Sequence, residues 1–126
     1  MEAVVVLAAC AGFSGVALGA FGAHGLRARL ADSGDAARRL EWWQTGASYH
    51  LAHALAIGVT AALDSAGQGC WTRCAAWAFA AGIVLFSGSL YVMGATGRRR
   101  LGAITPLGGL AFLAGWAFLL VAGLDV

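Results

Sequence analysis

Residues 44–63 read QTGASYHLAHALAIGVTAAL and contain no Asp, Glu, Lys or Arg. At about 1.5 Å of rise per residue, a helix of this length spans roughly 30 Å, the thickness of a bilayer's hydrocarbon core. The stretch follows the pair Trp42-Trp43 and holds two histidines, His50 and His53. It is the clearest span in the chain, and it predicts a membrane-crossing helix with polar groups inside it.

Composition extends that reading to the rest of the chain. The 126 residues are 60% hydrophobic and 11% charged, whereas a soluble domain carries about 25% charged residues. Too little polar surface remains to face water on all sides. The 19 glycines follow no collagen-like period and fall within apolar stretches, which suits close helix packing in lipid. The net charge of +2 is too small and too local for a nucleic-acid partner. Three cysteines, Cys10, Cys70 and Cys74, make no complete disulfide framework. A Cys70–Cys74 bridge across one helical turn would be strained, so free thiols are expected. The N-terminal region carries Glu2 and no base, so the first apolar run is expected to remain in place.

Four spans are expected, at about 3–23, 44–63, 74–96 and 106–123. They predict an all-α, integral membrane four-helix up-down bundle formed as one transmembrane domain over residues 1–126. Gly15, Gly19 and Ala23 recur at intervals of four and lie on one helix face. With Gly12 and Gly22 beside them, Gly82, Ser87, Gly88 and Ser89 in span three, and Gly108, Gly109, Ala111 and Gly115 in span four, they are the expected seams of close packing. Residues 24–43 read as the longest polar loop. Asp35 would cap a short helix there, with Ala36, Leu40 and Trp43 facing the membrane and the Trp pair at headgroup depth. Residues 64–69 (DSAGQG) read as a turn. Thr105 is expected to cap span four, with Pro106 at its first position, and residues 101–104 as an extra half-turn or an interfacial piece.

All eight basic residues are arginine. Four lie between spans one and two (Arg27, Arg29, Arg38 and Arg39), three follow span three (Arg98, Arg99 and Arg100), and only Arg73 lies between spans two and three. The positive-inside rule then makes the first and third loops cytoplasmic and puts both termini outside. Arg98, Arg99 and Arg100 are candidate contacts for anionic lipid headgroups.

His53 lies ten positions beyond Trp43, about 15 Å into the bilayer. Polar groups at that depth must face protein or water. Tyr49 and His50 stand one turn away on neighbouring positions, and imidazole can relay protons or ligate metal. The alternative is a neutral ring that hydrogen-bonds to another helix and holds the bundle together. His24 would end span one and favour its last carbonyls. It also falls in the same half as Tyr49, His50, Tyr91 and Thr105, which could together line a polar pocket. No acidic residue lies in mid-span, and no nucleophile stands beside a base.

Several motifs occur in order along the chain: LGAFGAH at 18–24, WWQTGASYHLAHALAI at 42–57, LFSGSLY at 85–91, TPLGG at 105–109 and LAGW at 113–116. With these motifs the chain resembles a family of small bacterial inner-membrane proteins of unknown function, each with four predicted transmembrane helices. On the family pattern His24, Tyr49 and His53 match recurrent positions, and His50 matches one filled less consistently. The resemblance implies the fold and location, and it brings no activity, substrate or cofactor.

The favoured function is therefore a structural, lipid-interacting or accessory role in the bacterial inner (plasma) membrane. The alternative is a small transporter or channel for protons or a small solute using His53. A membrane enzyme or metal-handling protein is weaker still. Expected partners are membrane lipids and a homo-oligomer or another membrane protein. No cofactor is expected.

Overall fold

The computed structural model describes residues 2–67 and 69–125. Four long helices carry the fold, and the described residues include no β structure. Helix α1 is Glu2–Arg29 and α2 is Ala36–Ser65; α3 is Gly69–Thr96 and α4 is Thr105–Leu124, with a 3₁₀ turn at Arg99–Ala103 before it. The protein is an all-α, membrane-spanning helical bundle.

Helices α1, α3 and the segment containing α4 are each long and apolar enough to cross a membrane. Helix α2, the stretch that opened the sequence reading, falls short of that apolarity because it carries Tyr49, His50, His53 and Thr60. Its position in the bundle accounts for this. Ten α2 residues are buried, against four in α4. A helix packed along α1 and α3, with α4 side chains reaching its His53 face, can carry polar side chains there, provided each finds a partner. The outer helices instead turn Phe13, Val16, Leu113 and Leu120 outward, as lipid-facing surfaces do.

The first polar loop is much shorter than the expected residues 24–43. Helix α1 runs on to Arg29 through a widened π turn at Gly22–Leu26, and α2 already begins at Ala36. Helix α2 has 30 residues and is therefore about 45 Å long, so its first turns extend beyond the hydrocarbon core. His24 lies within the widened turn of α1, exposed, and does not end the helix.

Trp43 does not face the membrane. It is only 5% exposed and packs with Leu26 and Leu30, flanked by Ala36 and Leu40. Its indole Nε1–H donates to the Leu18 carbonyl of α1 at 2.8 Å, and its ring meets Phe21 and Tyr91 at 5.4 and 4.7 Å between centroids. A side chain that takes a carbonyl from the i→i−4 ladder disturbs the turn beyond it, and the widened turn of α1 begins there. A buried tryptophan needs a partner for its N–H. That requirement overrides the interfacial preference that placed Trp43 at the headgroups.

Asp35 precedes α2 but makes no side-chain capping hydrogen bond. Its carboxylate instead accepts from the Ser33 hydroxyl and lies 3.7 Å from Arg38 and from Arg39. The Ser33 hydrogen bond, helped by Arg39 and Arg38 and opposed by desolvation, holds this carboxyl below its ordinary 3.8. With the folded value depressed, its contribution to stability is complete above 3.8 and is lost as pH falls through the lower folded value. An NMR titration is expected to give an Asp35 midpoint below 3.8, moving back toward 3.8 in Ser33→Ala. A wild-type midpoint at or above 3.8 would contradict the assignment.

Arg39 ties the start of α2 to the end of α3. Its Nε donates to the Gly94 carbonyl at 2.8 Å, and a terminal nitrogen donates to the Ala95 carbonyl. Gly97, at φ 72°, closes α3 in the left-handed conformation, with its N–H donating to Met93 O at 2.8 Å. Thr105 does not cap α4 either. Its hydroxyl lies 2.6 Å from that of Ser89 on α3, a lateral tie between helices, and because α4 already begins at Thr105, Pro106 stands second in its first turn instead of first. The turn after α2 passes through Ala66 and Gly67; Gln68, part of the expected turn, lies outside the described residues.

The seams are tight at only some of the glycines expected to form them. A Cβ on Gly15 would stand 2.9 Å from Leu51, and one on Gly115 would stand 2.5 Å from Phe79. Gly19 has nothing within 4 Å, and Gly88 and Gly109 have only ordinary neighbours at 3.9 and 4.0 Å. The closest approaches are at Gly22 against Trp43, Gly82 against Phe112 and Gly108 against the Phe86 backbone. Spacing by fours places residues on one face, but it does not say which turn of that face meets a large partner.

Candidate functional site

The polar residues of α2 form two separate clusters, set by which neighbour each ring faces. His50, 4% exposed, points between α1 and α3. Its Nδ1 lies 2.9 Å from Tyr91 Oη on α3, and its Nε2 lies 3.3 Å from Ser14 Oγ on α1. Ser14 donates its single proton within α1, to Cys10 O at 2.8 Å with Ala11 O at 3.2 Å. Ser14 therefore accepts from His50 Nε2–H, and Nδ1 accepts from the Tyr91 hydroxyl. The result is a directed chain, Tyr91 O–H to His50 to Ser14 to Cys10 C=O, that crosses three helices.

His53, 6% exposed, faces α4. Its Nδ1 lies 2.8 Å from the Tyr49 carbonyl, which can only accept, so the proton sits on Nδ1. Nε2 is then free to accept from Trp116 Nε1–H at 3.3 Å. The imidazole stacks on Phe112 at 3.6 Å between centroids with 10° between planes. A second proton on this ring would set its N–H against the Trp116 N–H. The two histidines thus hold opposite tautomers and do not bond to each other.

The other expected site residues do not join one pocket. Tyr49 is 46% exposed and lies against Phe86, with ring centroids 4.6 Å apart. Thr105 pairs with Ser89, and His24 is exposed on α1. Arg98, Arg99 and Arg100 are exposed around a surface cleft of about 520 Å³. Cys10, Cys70 and Cys74 are free thiols. Beside His50 lies an open, almost wholly apolar groove of about 430 Å³, walled by Leu7, Leu18, Ala80, Ile83 and Val84 and bordered by Ser14 and Tyr91. Beside His53 is a second groove of about 470 Å³ bordered by Pro106, Leu110 and Trp116.

Ser14, Arg39 and Trp116 are the partners that the sequence reading passed over. Trp116 carries a usable signal: a tryptophan in mid-span, away from either interface, needs an acceptor for its N–H. Ser14 looks like one more small residue in a glycine-rich helix. Ser87 is fully buried on the second widened turn, Ile83–Ser87, and its hydroxyl has no hydrogen-bond partner among the described residues.

A family described as "Protein of unknown function (DUF423)" matches residues 18–109, the region that holds His50 and His53. The chain is 46% identical over 124 residues to the UPF0382 membrane protein YwdK of Bacillus subtilis (strain 168), covering 97% of this chain and 96% of that protein. It is 40% identical over 121 residues to the UPF0382 inner membrane protein YgdD of Escherichia coli (strain K12), covering 96% and 88%. No solved structure matches it. The apolar helices and these relatives agree on a multi-pass inner-membrane location. The chain is a small integral membrane protein and belongs to the DUF423/UPF0382 family of bacterial membrane proteins.

Proposed function

We propose that the protein is an accessory, lipid-interacting component of the plasma membrane whose buried polar side chains hold the bundle together. The observation that carries this reading is that both ring nitrogens of His50 and of His53 are engaged inside the bundle. A transported solute or proton would need a polar group free to change partners, continued toward both faces. Beyond His53 the core is closed by Ile57, Ala75, Ala76 and Phe79. Thr60 and Thr72 there donate to carbonyls of their own helices.

In the proposed orientation the α1–α2 and α3–α4 connections are cytoplasmic and both termini lie outside. The arginine distribution supports it, and the lone Arg73, in the first turns of α3, pairs with Asp64 at the end of α2 at 3.1 Å. Arg98, Arg99 and Arg100 then face anionic headgroups, each charge contributing about 1 kcal/mol. A second copy of the chain or another membrane protein would cover part of the lipid-facing surface.

Proteoliposomes with an internal pH dye and a small ion panel test this reading. The expected result is no flux above empty liposomes at any pH, in wild type and His53→Ala alike. Protein-dependent flux that disappears in a folded His53→Ala variant would replace it with the transporter reading.

A further inference from the structure

We propose that the cleft walled by Arg98, Arg99 and Arg100 holds the head of a two-phosphate glycerophospholipid of the cardiolipin type, one per chain. This deepens the lipid-interacting reading and rests on it. Charge is divided unevenly between the two ends of the bundle. The end formed by the α1–α2 and α3–α4 connections has seven of the eight arginines, against Asp32, Asp35 and Glu41. The opposite end has Arg73 against Glu2, Asp64 and Asp125. Several arginines of the basic end are already engaged. Arg39 donates to the last carbonyls of α3, Arg38 lies 5.3 Å over the Trp42 ring, and Asp35 stands beside both. Arg29 lies 5.6 Å over the Phe21 ring. The guanidinium groups of Arg98, Arg99 and Arg100 have no ion pair among the described residues. All three side chains are exposed, around a space of about 520 Å³.

The path of the chain gathers these three charges. Gly97 closes α3 in the left-handed conformation, Arg98 is extended at φ −82° and ψ 123°, and a 3₁₀ turn begins at Arg99. In a continuous α-helix neighbouring side chains would point about 100° apart; here all three border one cleft. Like charges so close repel one another, and bound phosphate relieves that repulsion. The depth suits a lipid phosphate. Arg39 sets its turn of α2 level with Gly94 and Ala95 of α3, and Gly97 lies beside Asp35. Trp42, half-buried, is seven residues deeper than Asp35, about 10 Å by helical rise. With the Trp42 ring at the inner edge of the headgroup layer, the three arginines stand within side-chain reach of the phosphates. Guanidinium forks take phosphate oxygens in pairs. A head with one phosphate engages fewer of the three forks than a head with two, and basic pockets beside transmembrane helices suit such heads. The lining holds no carboxylate to compete.

The test is native mass spectrometry of the full chain released from phosphatidylcholine nanodiscs. These contain either cardiolipin or, at equal total charge, phosphatidylglycerol. The wild type is expected to retain one cardiolipin per chain and to retain phosphatidylglycerol far less. Replacing all three arginines with glutamine should weaken retention about a hundredfold, at about fivefold for each charge. Replacing all three with lysine keeps the charge and removes the forks, and should weaken retention about tenfold. Arg27→Gln with Arg29→Gln removes two charges from the other connection and should leave retention unchanged. All the substituted side chains are exposed, so folding is not at stake. Equal retention of the two anionic lipids, a lysine variant equal to wild type, or an equal loss in the Arg27 and Arg29 variant would overturn the site. Displacement of the lipid by excess inorganic phosphate would also overturn it, by assigning the cleft to a soluble anion. Failure here in a protein without flux would leave the accessory role and remove this inference alone; protein-dependent flux would remove the accessory role whichever lipid is retained.

Discussion

Gly108→Ala is expected to destabilise the bundle by about 3 kcal/mol, at the upper end of ordinary overpacking. The added methyl would stand 2.2 Å from Phe86 N and 2.6 Å from Phe86 Cα. Both are backbone atoms, so no rotamer change relieves the clash, and α4 must move away from α3. That movement would also loosen Phe112 against Gly82 and the stack of Phe112 on His53. Gly109→Ala, one residue on, meets only Phe86 Cδ2 at 4.0 Å. It should be neutral or stabilising by up to about 1 kcal/mol through helix propensity. Unfolding by sodium dodecyl sulfate in mixed micelles compares the pair, and equal stability of the two variants would contradict the close crossing.

Arg39→Ala comes second, with an expected loss of about 3 kcal/mol. Hydrogen bonds from a charged donor contribute about 1.5–3 kcal/mol, and this guanidinium serves two carbonyls at the end of α3. At 15% side-chain exposure it is shielded from water that would otherwise replace it. Asp35→Ala should lose much less, because its contacts to the arginines are 3.7 Å and solvent-screened. Hydrogen exchange localises the effect: faster exchange at Met93 to Thr96 in Arg39→Ala is expected, and unchanged protection there would refute the tie.

The helices and their membrane setting were legible because they depend on additive quantities. An uncharged run of sufficient length crosses a bilayer, whatever it packs against. The partners were not legible because they depend on which faces meet. Trp42 and Trp43 look alike in sequence as an interfacial pair. Trp43 turns inward because Gly22 on α1 leaves room for an indole whose N–H reaches Leu18. Gly108 and Gly109 are likewise adjacent, and only the one that faces Phe86 forms the seam. Helical rise puts His53 well inside its span, but its partner Trp116 lies 63 positions away. The expected polar pocket of His24, Tyr49, His50, Tyr91 and Thr105 grouped residues by depth alone, whereas rotation around each helix brings only His50 and Tyr91 together.

The most direct test of the account is nitrogen-15 NMR of the histidine rings in the ligand-free protein in lipid nanodiscs. Apart from the exposed His24, whose signal is identified by its loss in His24→Ala, one ring protonated on Nε2 is expected, lost in His50→Ala, and one protonated on Nδ1, lost in His53→Ala. Trp116→Phe should perturb only the second ring, and Tyr91→Phe only the first. The same tautomer in the His50 and His53 rings, or rapid exchange between tautomers in either of these two, would contradict a bundle held by fixed histidine links.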